Sequence, residues 1–143
     1  MRRAVVLWWV SLAACVGPAG DFAAYEEKAK ESAEAVLSAV ETARLSVLTA
    51  SRNGAFGPYT SVLLTETEED AGSAQATFES IQPPDGRSDA IREELDALFT
   101  RAVSALADLR ISARRSEPQQ VRGMGRALAP IARALESFVA AHS

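Results

Sequence analysis

The sequence predicts an all-α protein, an up-and-down antiparallel four-helix bundle, and three observations carry that prediction. Apolar residues recur at spacings of three and four along four separate stretches. No run of strict apolar alternation is long enough to compete with them as a strand. The connections, around Asn53-Gly54, Pro83-Pro84-Asp85-Gly86 and Arg114-Arg115-Ser116, are short and rich in turn formers. Short links make consecutive amphipathic helices antiparallel neighbours, crossing at about 20° with their apolar stripes turned inward. The competing arrangement is a three-helix core with a long first helix extending past it.

The first helix is expected from about Asp21 to Ser51. Phe22, Ala29, Val36 and Ala43 repeat every seven residues, and Ala33, Val40 and Val47 follow the neighbouring line, which makes one face apolar over roughly 45 Å. Asp21 is placed to cap its start and Asn53-Gly54 to end it. The second begins near Pro58, a residue suited to a first helical turn, and runs to about Ile81. Tyr59, Val62, Leu63, Ala74, Phe78 and Ile81 are its expected inward positions, and Pro83-Pro84 terminates it. The third opens with Ser88 as expected N-cap, and its stripe is Ile91, Leu95, Leu98, Ala102, Leu106 and Leu109, widened by Phe99 and Val103. The fourth starts at Ser116, where Ser116 and Gln119 have capping-box spacing. Val121, Met124, Leu128, Ile131, Leu135 and Phe138 mark its buried side, while Gly123, Gly125 and Pro130 weaken it and predict a kink.

Ahead of the helices, Arg2-Arg3 precede the apolar run Ala4-Val5-Val6-Leu7-Trp8-Trp9-Val10-Ser11-Leu12, which has the length of a signal-peptide core. Glycine, proline and aspartate follow Cys15 at once, well short of the roughly 20 apolar residues a membrane span needs. The segment reads as targeting and not spanning. Leu12-Ala13-Ala14-Cys15 resembles the lipobox of bacterial lipoproteins. That resemblance implies removal of residues 1–14, a diacylglycerol thioether on Cys15 and acylation of its new amine. Cys15 is the only cysteine, so it has no intramolecular disulfide partner, a difficulty that lipidation removes. Two or three chains hold firmly, because each buried methylene contributes about 0.8 kcal/mol. Alternatives are an ordinary secretory signal, a short retained anchor and twin-arginine export. Residues 16–20 then form a tether reaching about 17 Å when extended, and residues 21–143 are the bundle. The alanine-rich body is similar to small helical lipoproteins of actinobacteria, a likeness that transfers no site residue except Cys15.

Without residues 1–14 just under 130 residues are left, one domain's worth. Arg2 and Arg3 leave with the signal, so 19 acidic residues face 13 basic ones, a formal net of −6, and broad nucleic-acid binding is excluded. His142, the only histidine, lies in the expected frayed tail, which rules out a histidine-based triad or a multi-histidine zinc site. Met124 offers no haem ligation pattern, and Gly123-Met124-Gly125 lacks the strand that a phosphate loop follows. No catalytic residue, cofactor or metal is expected.

Two polar features are candidates. Glu66, Glu68, Glu69 and Asp70 form an acid cluster. Glu66 and Asp70 share a face, with Thr67 and Ser73 near, which is an incomplete oxygen site for a hard cation. Leu63, Thr67, Asp70 and Ala74 fall on one stripe, which predicts Asp70 as a buried polar residue paired with an arginine of the third or fourth helix. Arg110, Arg114, Arg115, Arg122 and Arg126 gather in the last third as candidates for contact with lipid headgroups, a cell-wall polymer or an acidic partner; otherwise they answer acids on the first two helices. The expected function is therefore a lipid-anchored, extracytoplasmic, non-enzymatic interaction or scaffold module meeting another envelope protein. The alternative is a ligand-binding lipoprotein, holding a small apolar molecule or cation between helices near Gly123, Gly125 and Pro130. A closed cavity would favour the ligand and an exposed groove the partner.

Overall fold

The computed structural model describes residues 20–52 and 57–143. Four helices account for nearly all of them: α1 Phe22–Arg52, α2 Pro58–Glu79, α3 Gly86–Arg114 and α4 Pro118–Ala141. Antiparallel neighbours close into a four-helix bundle, and among the described residues the backbones of α2 and α4 stand on its wider diagonal. Helix α1 meets all three others, including α3 across the diagonal. Its composition explains this role, because its buried positions carry Ala29, Ala33, Ala39 and Ala43 with Val36, Val40 and Val47, side chains small enough for a close diagonal approach.

Apart from Tyr25, the larger side chains come from the other helices. Leu64 and Phe78 of α2, Leu95, Phe99, Leu106 and Leu109 of α3, and Val121, Leu128 and Leu135 of α4 are all fully buried. Near the start of α1, Tyr25 packs on Phe78 at 5.7 Å between ring centroids, and Phe78 meets Phe99 edge-on at the same spacing. Such contacts contribute about 0.5–1.5 kcal/mol beyond the area they bury. Burial raises the pKa of the Tyr25 hydroxyl, opposed by the charge of Arg92, and the hydroxyl oxygen is left without a hydrogen-bond partner.

The caps hold two corrections. Asp21 caps α1 as expected, accepting the Ala24 amide at 2.9 Å. For α3 the N-cap is Asp85 and not Ser88. Its carboxylate accepts the amides of Arg87 and Ser88 at 3.1 and 2.9 Å, and the buried Ser88 hydroxyl donates to the same carboxylate. A carboxylate answers two orphan amides and the positive end of the helix more strongly than a hydroxyl, so the helix starts three residues earlier. These bonds hold the Asp85 carboxyl below its ordinary pKa, chiefly through the Ser88 amide.

Ser116 is likewise not the N-cap of α4. It takes a left-handed backbone, φ 59°, and closes α3: its amide bonds the Ala113 carbonyl at 3.1 Å and the Glu117 amide bonds the Ser112 carbonyl at 3.2 Å. That pair of bonds is the Schellman pattern, usually built around glycine. Glu117 becomes the N-cap with no side-chain bond, and Pro118 occupies the first turn. Helix α4 stays one helix through Gly123, Gly125 and the exposed Pro130. His142 is not a loose end either, since its ring stacks on Phe138 at 4.1 Å and Nδ1 donates to the Phe138 carbonyl at 2.8 Å.

In α2 the buried stripe is Thr60, Leu64, Thr67, Ala71 and Phe78, so its first turns are rotated by about one residue from the expected face. Tyr59 and Val62 point to solvent, Tyr59 being 77 % exposed. Threonine tolerates the interior here because its hydroxyl is answered by its own helix: Thr67 Oγ1 donates to the Leu64 carbonyl at 3.1 Å. Among the described residues no helix is long and apolar enough to cross a membrane.

Candidate functional site

The rotation of α2 leaves apolar side chains outside, and they are not scattered. Leu45 and Leu48 on α1, Tyr59 and Val62 on α2 and Ile111 on α3 are the exposed large apolar residues among those described. All five lie toward one end of the bundle, where α1 and α3 finish and α2 and α4 begin. This far end is separated from the start of α1 by nearly the full helix, about 45 Å.

Gly125 shapes the surface there. A Cβ built on it would come within 2.7 Å of Val47 Cγ1, so the α4 backbone sits directly against α1 at this point. Leu45 and Leu48 flank that contact on α1 and find no cover from α4. The result is an open groove of about 360 Å³ between the two helices, with Leu45, Val47, Leu48 and Gly125 on its apolar floor and Glu41, Arg44, Ser51, Arg122 and Arg126 along it. A second groove of about 260 Å³ lies between the end of α1 and the start of α2, lined by Thr49, Ala50, Tyr59 and Leu63 among others.

The charge distribution follows the same division. Residues 41–52, 57–68 and 103–130 form the far half and hold seven arginines against five acids, whereas residues 21–40, 69–102 and 131–143 hold fourteen acids against six bases. Within the basic half the five arginines expected to act together are not equivalent. Arg110 grips Glu68 of α2 in a two-pronged ion pair, Nε to Oε2 and Nη2 to Oε1 at 3.2 Å, with 22 % of each side chain exposed. The Glu68 bond raises the pKa of the Arg110 guanidinium. Arg114, Arg115 and Arg126 are exposed, and Arg122 is half-buried on the groove. Arg44 is paired with Glu41 one turn before it.

Asp70 is not the buried acid expected. It is exposed, because the inward stripe passes through Ala71, and the acid that meets an arginine of α3 is Glu68. Glu66 is exposed as well, while Thr67 faces the core and bonds Leu64, so these residues do not converge on one point. No group of three or more His, Cys, Asp or Glu side chains is gathered among the described residues. Met124 is half-buried against the core.

One polar cluster escapes the sequence reading. Arg92 of α3 donates to the carbonyls of Ile81 and Glu79 at 2.9 and 2.8 Å, closing the C-terminus of α2, while its Nε lies 3.6 Å from Asp96. Burial raises the pKa of the Asp96 carboxyl, and Arg92 opposes it. The pattern marks a helix clamp. Its sequence signal is an arginine about two turns inside α3, opposite the exposed carbonyls that Pro83-Pro84 leaves at the end of α2. Cys15 lies outside the described residues. Compared with known proteins, the chain matches no family, no curated protein and no solved structure.

Proposed function

We propose that the chain is a lipid-anchored, extracytoplasmic and non-enzymatic interaction module, attached through Cys15 and meeting a partner protein with its far end. The observation that carries the proposal is the position of the exposed apolar residues relative to the chain start. Leu45, Leu48, Tyr59, Val62 and Ile111 sit at the end opposite Phe22, where an anchored N-terminus would present them outward. Surface apolar residues gathered at one place are the mark of a contact surface. The same placement favours a protein partner over headgroups for Arg114, Arg115, Arg122 and Arg126, since residues 16–20 reach only about 17 Å when extended. A groove that is open rather than enclosed supports the partner over a trapped ligand. Its volume of about 360 Å³ falls at the small end of small-molecule sites, which supports a ligand-binding lipoprotein as the second reading.

Metabolic labelling with an alkyne palmitate, followed by mass spectrometry of the N-terminal peptide, tests the anchor. The expected product begins at Cys15 and carries lipid, and Cys15→Ser abolishes the label. A chain that keeps Met1 and takes up no lipid overturns the proposal.

A further inference from the structure

We infer that the α1–α4 groove docks a short acidic amphipathic helix of a partner protein, an inference that rests on the chain being an interaction module. The groove follows α1 from Glu41 to Ser51, about 15 Å, the length of three helical turns. Its floor is apolar and is bounded by two contacting antiparallel helices, an arrangement in whose groove a third helix can lay its apolar face. Leu45 and Leu48 stand three residues apart at its edge and remain 64 % and 46 % exposed, ready to interleave with side chains spaced by three and four.

Charge selects the occupant. The surrounding half of the bundle carries an excess of arginine, with Arg126 at the groove and Arg114 and Arg115 at the adjoining turn all exposed. An acidic helix is attracted to that surface and a basic one repelled. A second copy of this chain fits poorly. Two far ends face to face bring like charges together, and the acidic half carries none of the exposed large apolar residues seen among those described, so head-to-tail contact leaves Leu45 and Leu48 against carboxylates. The occupant must bring apolar anchors and acids on one helix.

The probe is a fluorescent synthetic peptide of about 14 residues, leucines along one face and glutamates flanking them, titrated onto the full chain held in zwitterionic nanodiscs. Two control peptides replace every glutamate by lysine or every leucine by serine. The glutamate–leucine peptide is expected to bind at least about tenfold more tightly than either control. Leu48→Ser and Arg126→Glu, both at exposed positions, each weaken it by about tenfold with the helical circular dichroism unchanged. Equal binding of the lysine peptide, or indifference to both substitutions, overturns the inference. So does a dimer in sedimentation that Leu48→Ser dissolves, since the second copy then covers the face. A lipidated chain that ignores the peptide overturns the docking alone, and an unlipidated chain that binds it overturns the anchor alone.

Discussion

Tyr25 is enclosed on every side, with its ring on Phe78 and its hydroxyl answered by nothing in hydrogen-bond geometry. Burial raises the pKa of the hydroxyl and the Arg92 guanidinium is close enough to oppose it, but the Nη1 and Nη2 of Arg92 donate to the carbonyls of Ile81 and Glu79. A buried hydroxyl without a partner costs about 1–3 kcal/mol, so Tyr25→Phe keeps the ring packing and is expected to stabilise the bundle by about 1 kcal/mol in denaturant unfolding. A loss of stability would show that the hydroxyl has found a partner. Ser116 bears a different strain. Its left-handed backbone costs an L residue about 1–2 kcal/mol, and glycine removes that cost while adding some freedom to the unfolded chain. Ser116→Gly is therefore expected to stabilise by about 0.5–1 kcal/mol, read as a shift of the urea midpoint at constant slope. The sequence conceals this position, because a serine two residues before a proline reads equally well as the start of the next helix. Only the 6→1 bond from the Glu117 amide to Ser112 assigns it to the previous one.

At the scale of elements, the α1–α4 contact turns on one glycine. Gly123 and Gly125 both lie inside α4, but a Cβ on Gly123 meets nothing within 4 Å while one on Gly125 meets Val47 Cγ1 at 2.7 Å. The pair makes a controlled comparison. Gly123→Ala is expected to stabilise by about 0.5–1 kcal/mol through helix propensity, and Gly125→Ala to destabilise by about 1–3 kcal/mol by forcing the helices apart. Thermal unfolding of the two variants side by side checks it, and equal shifts would mean α1 yields at Val47. The seams of α1 and α3 were legible in the sequence because bulky apolar or alanine positions repeat there at helical spacing without interruption; in α4 Val121, Leu128, Leu135 and Phe138 are buried as expected, while Met124 and Ile131 are half-buried and Gly125 and Ala132 take the inward places. In α2 the inward row runs through Thr60 and Thr67, while Tyr59 and Val62 stand beside it on the solvent side. Choosing the most apolar residues therefore selects the wrong phase by about 100°, and Asp70 is carried inward with it. Placing Glu68 opposite Arg110 required the true phase.

For the whole molecule, the division into an apolar, arginine-rich half and an acidic half was only partly visible beforehand. The sequence shows where charges fall along the chain, but antiparallel packing decides that the end of α1 joins the arginine-rich turn between α3 and α4. The groove was not legible at all, since it depends on Gly125 meeting Val47 across a helix pair far apart in sequence. A measurement of height follows from the same layout. With the chain held by the proposed lipid on Cys15, a fluorophore on Leu48→Cys and acceptor dye in a zwitterionic bilayer surface are expected to report a separation of about 40 Å or more, and one on Glu27→Cys a much shorter one. Equal separations would mean that the bundle lies flat.

The uneven placement of carboxylates and guanidinium groups also makes the protein an electric dipole aligned with its long axis, negative pole at the chain start. Beside an anionic surface that pole is pushed away and the arginine-rich pole drawn in, over a screening length of about 8 Å, so a molecule held there by its first residues is tilted down toward the lipid by the field, and added salt or a zwitterionic surface frees it to stand.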